Sequence, residues 1–373
     1  MSESNQWIEV VRRLGPAFAE RAAAFDEEDR FVADNFAELK EAGIFTAGVP
    51  SELGGGGASH RELCEMIREL ATFCSSTGLA VSMHTHLCAT LSYLWRKGNP
   101  APEGILRRVA AEKLILISTG GSDWLDGSGK LEKADGGYRL SGRKIFGSGV
   151  PAGDILMTTG IWDDPKDGPT VIHLPVPIKS AGVKILDTWR VMGMRATGSQ
   201  DIELDGVFIP DAAMGGVRRQ PGKWHPFMQT VALVALPVIY AAYLGVAQRA
   251  RTVAVELVKR KATDPNLPYL LGEMQNRLTA AELAWKSMLD LVETAPPGPE
   301  TTNQALIRRA LVGEGVIGAV DKALEAVGGR GFYRQAQLER LLRDVRGAQF
   351  HPVPEKPQTR LTGRMLLGLG LDG

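Results

Sequence analysis

Apolar positions along this chain recur with two different periods, and the switch between them divides it into three stretches. Up to about residue 115 the spacing is helical. Ser59 and Glu62 stand at the separation of a capping box, and Leu63, Met66, Ile67, Leu70 and Phe73 behind them mark one face of a helix. A second helix is expected from about Leu79 to Trp95. From about 114 to 210 the pattern becomes short runs of β-formers between Gly, Asp and Pro turns: LILIST, YRLSGRKIF, DILMTTGIW, TVIHLPV, GVKIL and DIELDGVFI. Helical spacing then returns, with segments expected at about 226–261, 268–292, 301–327, 334–346 and 356–368. PNLPY and PPGPETTN separate three of these, and Thr302 or Asn303 is placed to cap the third. The chain therefore reads as α+β, with a helical unit over 1–115, a β unit over 116–215 and a helical bundle over 216–373.

One run changes the picture if misread. Phe227 to Gln248 carries no charge and is about long enough to span a bilayer. Gln229, Thr230, Pro237, Tyr240, Tyr243 and Gly245 interrupt it, and amphipathic spacing resumes beyond it, so it is read as a helix buried among helices. The composition, 44% hydrophobic and 23% charged over 373 residues, fits several packed units and excludes disorder. Lys and Arg (43) equal Asp and Glu (43), which removes the overall field that nucleic acid or an anionic membrane selects. Cys64, Cys74 and Cys88 lack metal spacing, and MSESNQWIEV lacks a secretory pattern, so reduced structural thiols in the cytoplasm are expected. SELGGGGASH is read as a loop rather than a phosphate cradle, because no preceding strand or P-loop lysine accompanies its glycines. No strand is followed by GxGxxG, so no nicotinamide site is expected.

Four segments, in order, carry a resemblance. Met192-Gly193-Met194-Arg195-Ala196-Thr197-Gly198-Ser199 with IELDGVFIP is similar to the MGxRxSxT block and following strand of the acyl-CoA dehydrogenase superfamily. LSGRKIFGS, ending at Ser148, resembles that family's LxGxKxWIT/S strand, and LILISTGGSD its LTEPxAGSD segment, shortened here. VGGRGF with LLRDVR resembles its GGxGY and RDA segments. The resemblance implies a helical N-terminal domain, a middle β-barrel or sandwich, a C-terminal four-helix bundle, a bound flavin and a homotetramer. It places Ser118, Thr119, Phe146 and Ser148 beside the flavin ring, with Arg260, Gly328 and Gly329 toward an FAD pyrophosphate. Residue chemistry agrees, since a flavin needs an apolar floor and hydrogen-bond partners along its edge.

The family's catalytic Glu falls here at Pro352, its alternative near Ala235, and Glu355 is the remaining candidate for a relocated base. His351 stands in that loop instead, as in flavin monooxygenases of this fold, where a His and the Ser matched by Ser148 hold a C4a-peroxide. His84, chosen over His86 for its register with Ala80, Leu87 and Leu91, is expected to face the substrate, with Met83, Trp124 and Trp189 as further lining. Thr263, Asp264 and Glu325 replace family residues at the pyrophosphate, which leaves the cofactor as FAD or FMN and allows reduced flavin to come from a separate reductase. No metal site is expected. The leading expectation is an oxygen-using flavin monooxygenase acting on a small molecule. Acyl-CoA dehydrogenation with a relocated base and a non-catalytic binding or assembly subunit are the alternatives.

Overall fold

The computed structural model describes residues 5–214, 217–261 and 263–372. Helices α1 (Gln6–Glu27), α2 (Ala33–Glu41), α3 (His60–Phe73), α4 (Ser75–Arg96) and α5 (Glu103–Glu112) form the first unit. The capping box at Ser59 and Glu62 is made in both directions and starts α3. In the glycine loop before it, the amides of Gly55, Gly56 and Gly57 donate to Pro50, Thr46 and Val49 carbonyls, so the donors a phosphate needs are already used.

Next come β1 (Leu116–Ser118), α6 (Gly121–Leu125), β2 (Lys130–Ala134), β3 (Gly137–Gly147), β4 (Ile155–Asp164), β5 (Gly168–Pro177), β6 (Val183–Ile185), β7 (Gln200–Pro210) and β8 (Arg218–Arg219). They make one continuous mixed sheet in the order β6-β7-β3-β2-β4-β5-β8, with β1 paired to β4. The short strands β2 and β8 were not evident in the alternation, and β8 lies past the expected boundary at 215.

The third unit is α7 (Pro226–Val258), α8 (Leu267–Thr294), α9 (Pro299–Val327), α10 (Leu338–Val345) and α11 (Glu355–Leu366). The most apolar window of α7 is 89% buried inside the protein, as a core helix requires. Its polar interruptions serve packing: the Tyr240 hydroxyl donates to Ala348 O at 2.8 Å, and Tyr243 reaches the loop after α10. Thr302 and Asn303 do not cap α9. Pro299 begins that helix one turn earlier, because its fixed φ suits the first helical position, and both residues are buried within it.

β1 and β2 are two pieces of one interrupted strand. Both run parallel to β4, β1 beside Ile155–Met157 and β2 beside Ile161–Trp162. Between them the chain leaves the sheet through α6, exposing the middle of β4. Asp123 of α6 and Lys144 of β3 fill that gap as an ion pair at 2.7 Å, with side chains 4% and 0% exposed. Lys144 Nζ also donates to Thr159 O (2.7 Å) and Ser128 O (2.8 Å), taking the place of ladder hydrogen bonds. Asp123 accepts from the hydroxyls of Thr119, Ser128, Thr158 and Thr159. Burial alone would raise the Asp123 carboxyl, but Lys144 and these hydroxyls hold it below the ordinary carboxylate range.

The three units meet at one joint. The Arg343 guanidinium of α10 donates to both carboxylate oxygens of Asp26 in α1 and to Met192 O. Met194 N–H donates to Asp344 Oδ1 at 2.6 Å. Gly193 lies so close to α10 that a Cβ there would fall 2.2 Å from Arg343 O, which excludes every other residue. Replacing Lys144 with Ala leaves Asp123 buried and uncompensated, and the denaturant midpoint should fall by an amount corresponding to about 3–5 kcal/mol. A loss under about 1 kcal/mol would mean water reaches the gap.

Candidate active site

The register of the sheet builds one wall. β3 and β7 pair antiparallel with Gly147 opposite Gln200, which sets Ser148 opposite Ser199. Their hydroxyl oxygens are 2.7 Å apart, Ser199 is 2.7 Å from Thr197 Oγ1, and Thr197 donates to Met194 O at 2.9 Å. A register irregularity between Lys144 and Gly147 takes Ile145 and Phe146 out of alternation. Phe146 has φ 58° and remains 51% exposed, with its ring edge-on to Trp189 at 5.9 Å. The end of β1 closes on this wall through Gly120 N–H, which donates to Ile145 O at 3.0 Å. Ser118 and Thr119 are both buried here, and the Thr119 hydroxyl gives its proton to Asp123. Apolar ring surface, a hydroxyl chain and strand-end backbone thus adjoin, and a planar heteroaromatic cofactor fits that combination.

The loop after α10 supplies the other side. Its Pro352 ring packs on Gly121 so closely that a Cβ at Gly121 would lie 2.4 Å from Pro352 Cγ. Buried Arg309 of α9 fixes the loop by its backbone, donating to Ala348 O at 2.9 Å and His351 O at 2.6 Å. His351 Nδ1 is 2.7 Å from the hydroxyl of Tyr243. Burial pushes the Tyr243 phenol well above its ordinary value, so it keeps its proton. The His351 ring is thus held by the Tyr243 hydroxyl and by the Gly347 backbone carbonyl. Burial, then Arg309, lowers His351 to about 4, which keeps it neutral at physiological pH.

The two histidines of α4 are held differently, and His84 does not have the free nitrogen expected of it. Leu116 N–H donates to His84 Nδ1 at 2.9 Å, and His84 Nε2 then donates to Phe45 O at 2.7 Å. Both ring nitrogens are committed to joining α4 to β1, so His84 has none to offer a substrate. His86 is buried with Nδ1 unpartnered, and it lies near enough to His351 for that ring to lower its pKa, after burial, to about 3. Met83 and Trp124 are buried in apolar clusters, and Trp124 packs on His173 and Phe227 with centroids 5.1 and 6.2 Å away. Glu355 opens α11 with its side chain 58% exposed and bonded to Lys356, so it faces away from the role of base, and Ala235 is buried in the core. Arg260 and Gly328-Gly329 are exposed at the far end of the bundle. Counted along α7 from Tyr243 and along α9 from Arg309, they stand on the order of 25 Å from the His351 loop. The added acid there, Glu325, is neutralised by Lys322 at 2.8 Å. Sequence reasoning missed Tyr243, Arg309, Ser199 and Thr197. The isolated polar residues in otherwise apolar helices and the hydroxyls after MGMR were the available signals.

Residues 2–110 match the acyl-CoA dehydrogenase N-terminal domain and residues 238–355 the acyl-CoA dehydrogenase C-terminal domain. The chain belongs to the acyl-CoA dehydrogenase superfamily. It is 29% identical to YdbM of Bacillus subtilis (strain 168), which carries the name acyl-CoA dehydrogenase, over 94% of this chain and 93% of that one. It is also 29% identical to the amino sugar nitrososynthase DnmZ of Streptomyces peucetius, over 92% and 89%. The solved structure of KijD3 in complex with FMN and a dTDP-linked amino sugar superposes with a TM-score of 0.89 at 27% identity, covering 100% of this chain and 96% of that one. Within the acyl-CoA dehydrogenase superfamily, then, this member resembles proteins of more than one chemistry.

Two outcomes are expected from its histidines. His84→Ala removes two buried hydrogen bonds and should cost about 2–3 kcal/mol in thermal or urea unfolding, whereas His86→Leu should be nearly neutral. Burial, in each case the largest cause, lowers His84 to about 4, His86 to about 3, His173 to about 3 and His351 to about 4. The unfolded chain takes up these protons near 6.5, so stability should drop as pH falls from about 6.5 toward 4. Asp344, raised by burial to about 6 from 3.8, opposes this between those two values, because its folded form is protonated first. His60 and His225 are lowered by burial as well, so with six histidines against this one carboxyl Tm should decline from pH 7 to pH 4. A flat profile would show that the imidazoles are solvated.

Proposed function

We propose that this protein is a flavin-dependent monooxygenase acting on a small molecule, with His351 in the place where a dehydrogenase of this fold keeps its carboxylate base. The observation that carries the reading is the loop's composition and electrostatics. Pro352 stands at the expected base position, Glu355 faces solvent, and the charged group acting on His351 is the Arg309 cation. Removing an α proton from a thioester needs a basic carboxylate, and among the described residues none is placed at His351 to serve. The likeness to a nitrososynthase and to an FMN-bound structure supports the same reading.

A bound flavin, FMN or FAD, supplies the electrons that activate oxygen. Phe146 and Trp189 provide its apolar wall, Ser148 a hydroxyl at its edge, and Ser118 and Thr119 strand-end backbone. His351 presents a neutral imidazole aligned by Tyr243 and the Gly347 backbone, and the unpartnered Nδ1 of His86 accepts from substrate. FMN needs no contact from the Gly328-Gly329 corner. FAD would reach that corner only on a second copy, consistent with a homotetramer whose contacts include exposed Phe332 and Tyr333. Lacking a nicotinamide fingerprint, the chain would receive reduced flavin from a separate reductase.

Rapid mixing of the protein and reduced FMN with oxygenated buffer tests this. Oxidised-flavin absorbance should return more slowly than for free FMN, and His351→Ala should restore the free rate with release of hydrogen peroxide. Bleaching of protein-bound oxidised flavin by an acyl-CoA thioester without oxygen would instead establish a dehydrogenase.

A further inference from the structure

The hydroxyl chain beside Ser148 has a direction, and proton counting sets it. Thr197 Oγ1 lies 2.9 Å from Met194 O, a carbonyl with no proton to give, so the Thr197 hydrogen occupies that contact. Two oxygens so close with no hydrogen between them would repel. Each hydroxyl carries one proton. With the Thr197 proton used, the 2.7 Å contact between Thr197 and Ser199 takes the Ser199 proton. The 2.7 Å contact between Ser199 and Ser148 then takes that of Ser148. Ser148, the least buried of the three, is left with lone pairs alone to offer outward.

We propose that this chain of hydroxyls makes the site select the redox state of its flavin, with Thr197 and Ser199 as positioning residues that lock Ser148 as an acceptor. The inference rests on the reading that Ser148 borders the isoalloxazine. Along that edge N3–H donates in both redox states and the C2 and C4 oxygens accept in both. N5 inverts: it is an acceptor in the oxidised ring and an N–H donor in the reduced ring, whereas N1 gains a proton only in the neutral reduced form and stays an acceptor in the anionic one. A locked acceptor bonds reduced N5–H and meets oxidised N5 lone pair to lone pair. Reversing the chain to suit oxidised flavin costs the Thr197 bond to Met194 O. That carbonyl keeps the Trp189 indole N–H (3.2 Å) and the Thr197 amide (3.1 Å), so the cost is one hydrogen bond, or roughly a fivefold preference.

The test is anaerobic equilibrium titration of the full chain with oxidised FMN and with dithionite-reduced FMN, taking the ratio of the two dissociation constants. The parent should bind reduced FMN roughly fivefold or more tightly. Ser199→Ala frees the Ser148 proton and Thr197→Val frees that of Ser199, so each should bring the ratio toward one, while Thr197→Ser should restore it. A merely structural role would weaken both forms alike and leave the ratio unchanged, which would overturn the inference, as would a parent ratio of one. Failure of the parent to bind either form would overturn the flavin reading itself.

Discussion

The fold turns on a buried charge pair in a broken strand. Where β1 stops and β2 has not begun, β4 loses its neighbour, and Lys144 with Asp123 supplies the hydrogen bonds that a continuous strand would have made. A buried ion pair stabilises a protein only when its remaining lone pairs and protons are satisfied, and four hydroxyls and two carbonyls do so here. The break lets Thr119 to Gly129 leave the sheet and approach the loop of Pro352. Lys144 also precedes the irregularity that turns Phe146 outward, so the same residue fixes both edges of the wall.

Met194 links that wall to the helices. Its amide is held by Asp344 of α10, and its carbonyl anchors the hydroxyl chain ending at Ser148. The Arg343–Asp26 pair clamps the same corner to α1. The hydroxyl chain is therefore tied through Met194 to a joint among all three units.

The opposite side shows how one fold hosts different chemistry. Arg309 and Tyr240 hold the 348–351 loop through backbone carbonyls, which every residue possesses. Side chains in such a loop can vary without loss of the loop itself. Tyr243 adds a side-chain contact to His351 at 2.7 Å. Loop position thus belongs to the fold rather than to the loop's own side chains.

The sequence by itself determined the order of elements, the extents of α3, α4 and the long bundle helices, and the nature of the apolar stretch in α7, because periodicity and capping are local properties. It also determined, through motif resemblance, the superfamily. It did not separate His84 from His86, two residues apart on a helix buried nearly all round, because apolar register no longer distinguishes faces there. Which ring keeps a free nitrogen was decided by the position of β1 and of Phe45, 32 and 39 residues away along the chain. The bundle's length likewise places Arg260, Gly328 and Gly329 at the end of the helices away from the His351 loop, which motif order alone does not tell. Hydrogen-bond partners and distances between sites are non-local quantities, and in this protein only tertiary packing fixed them.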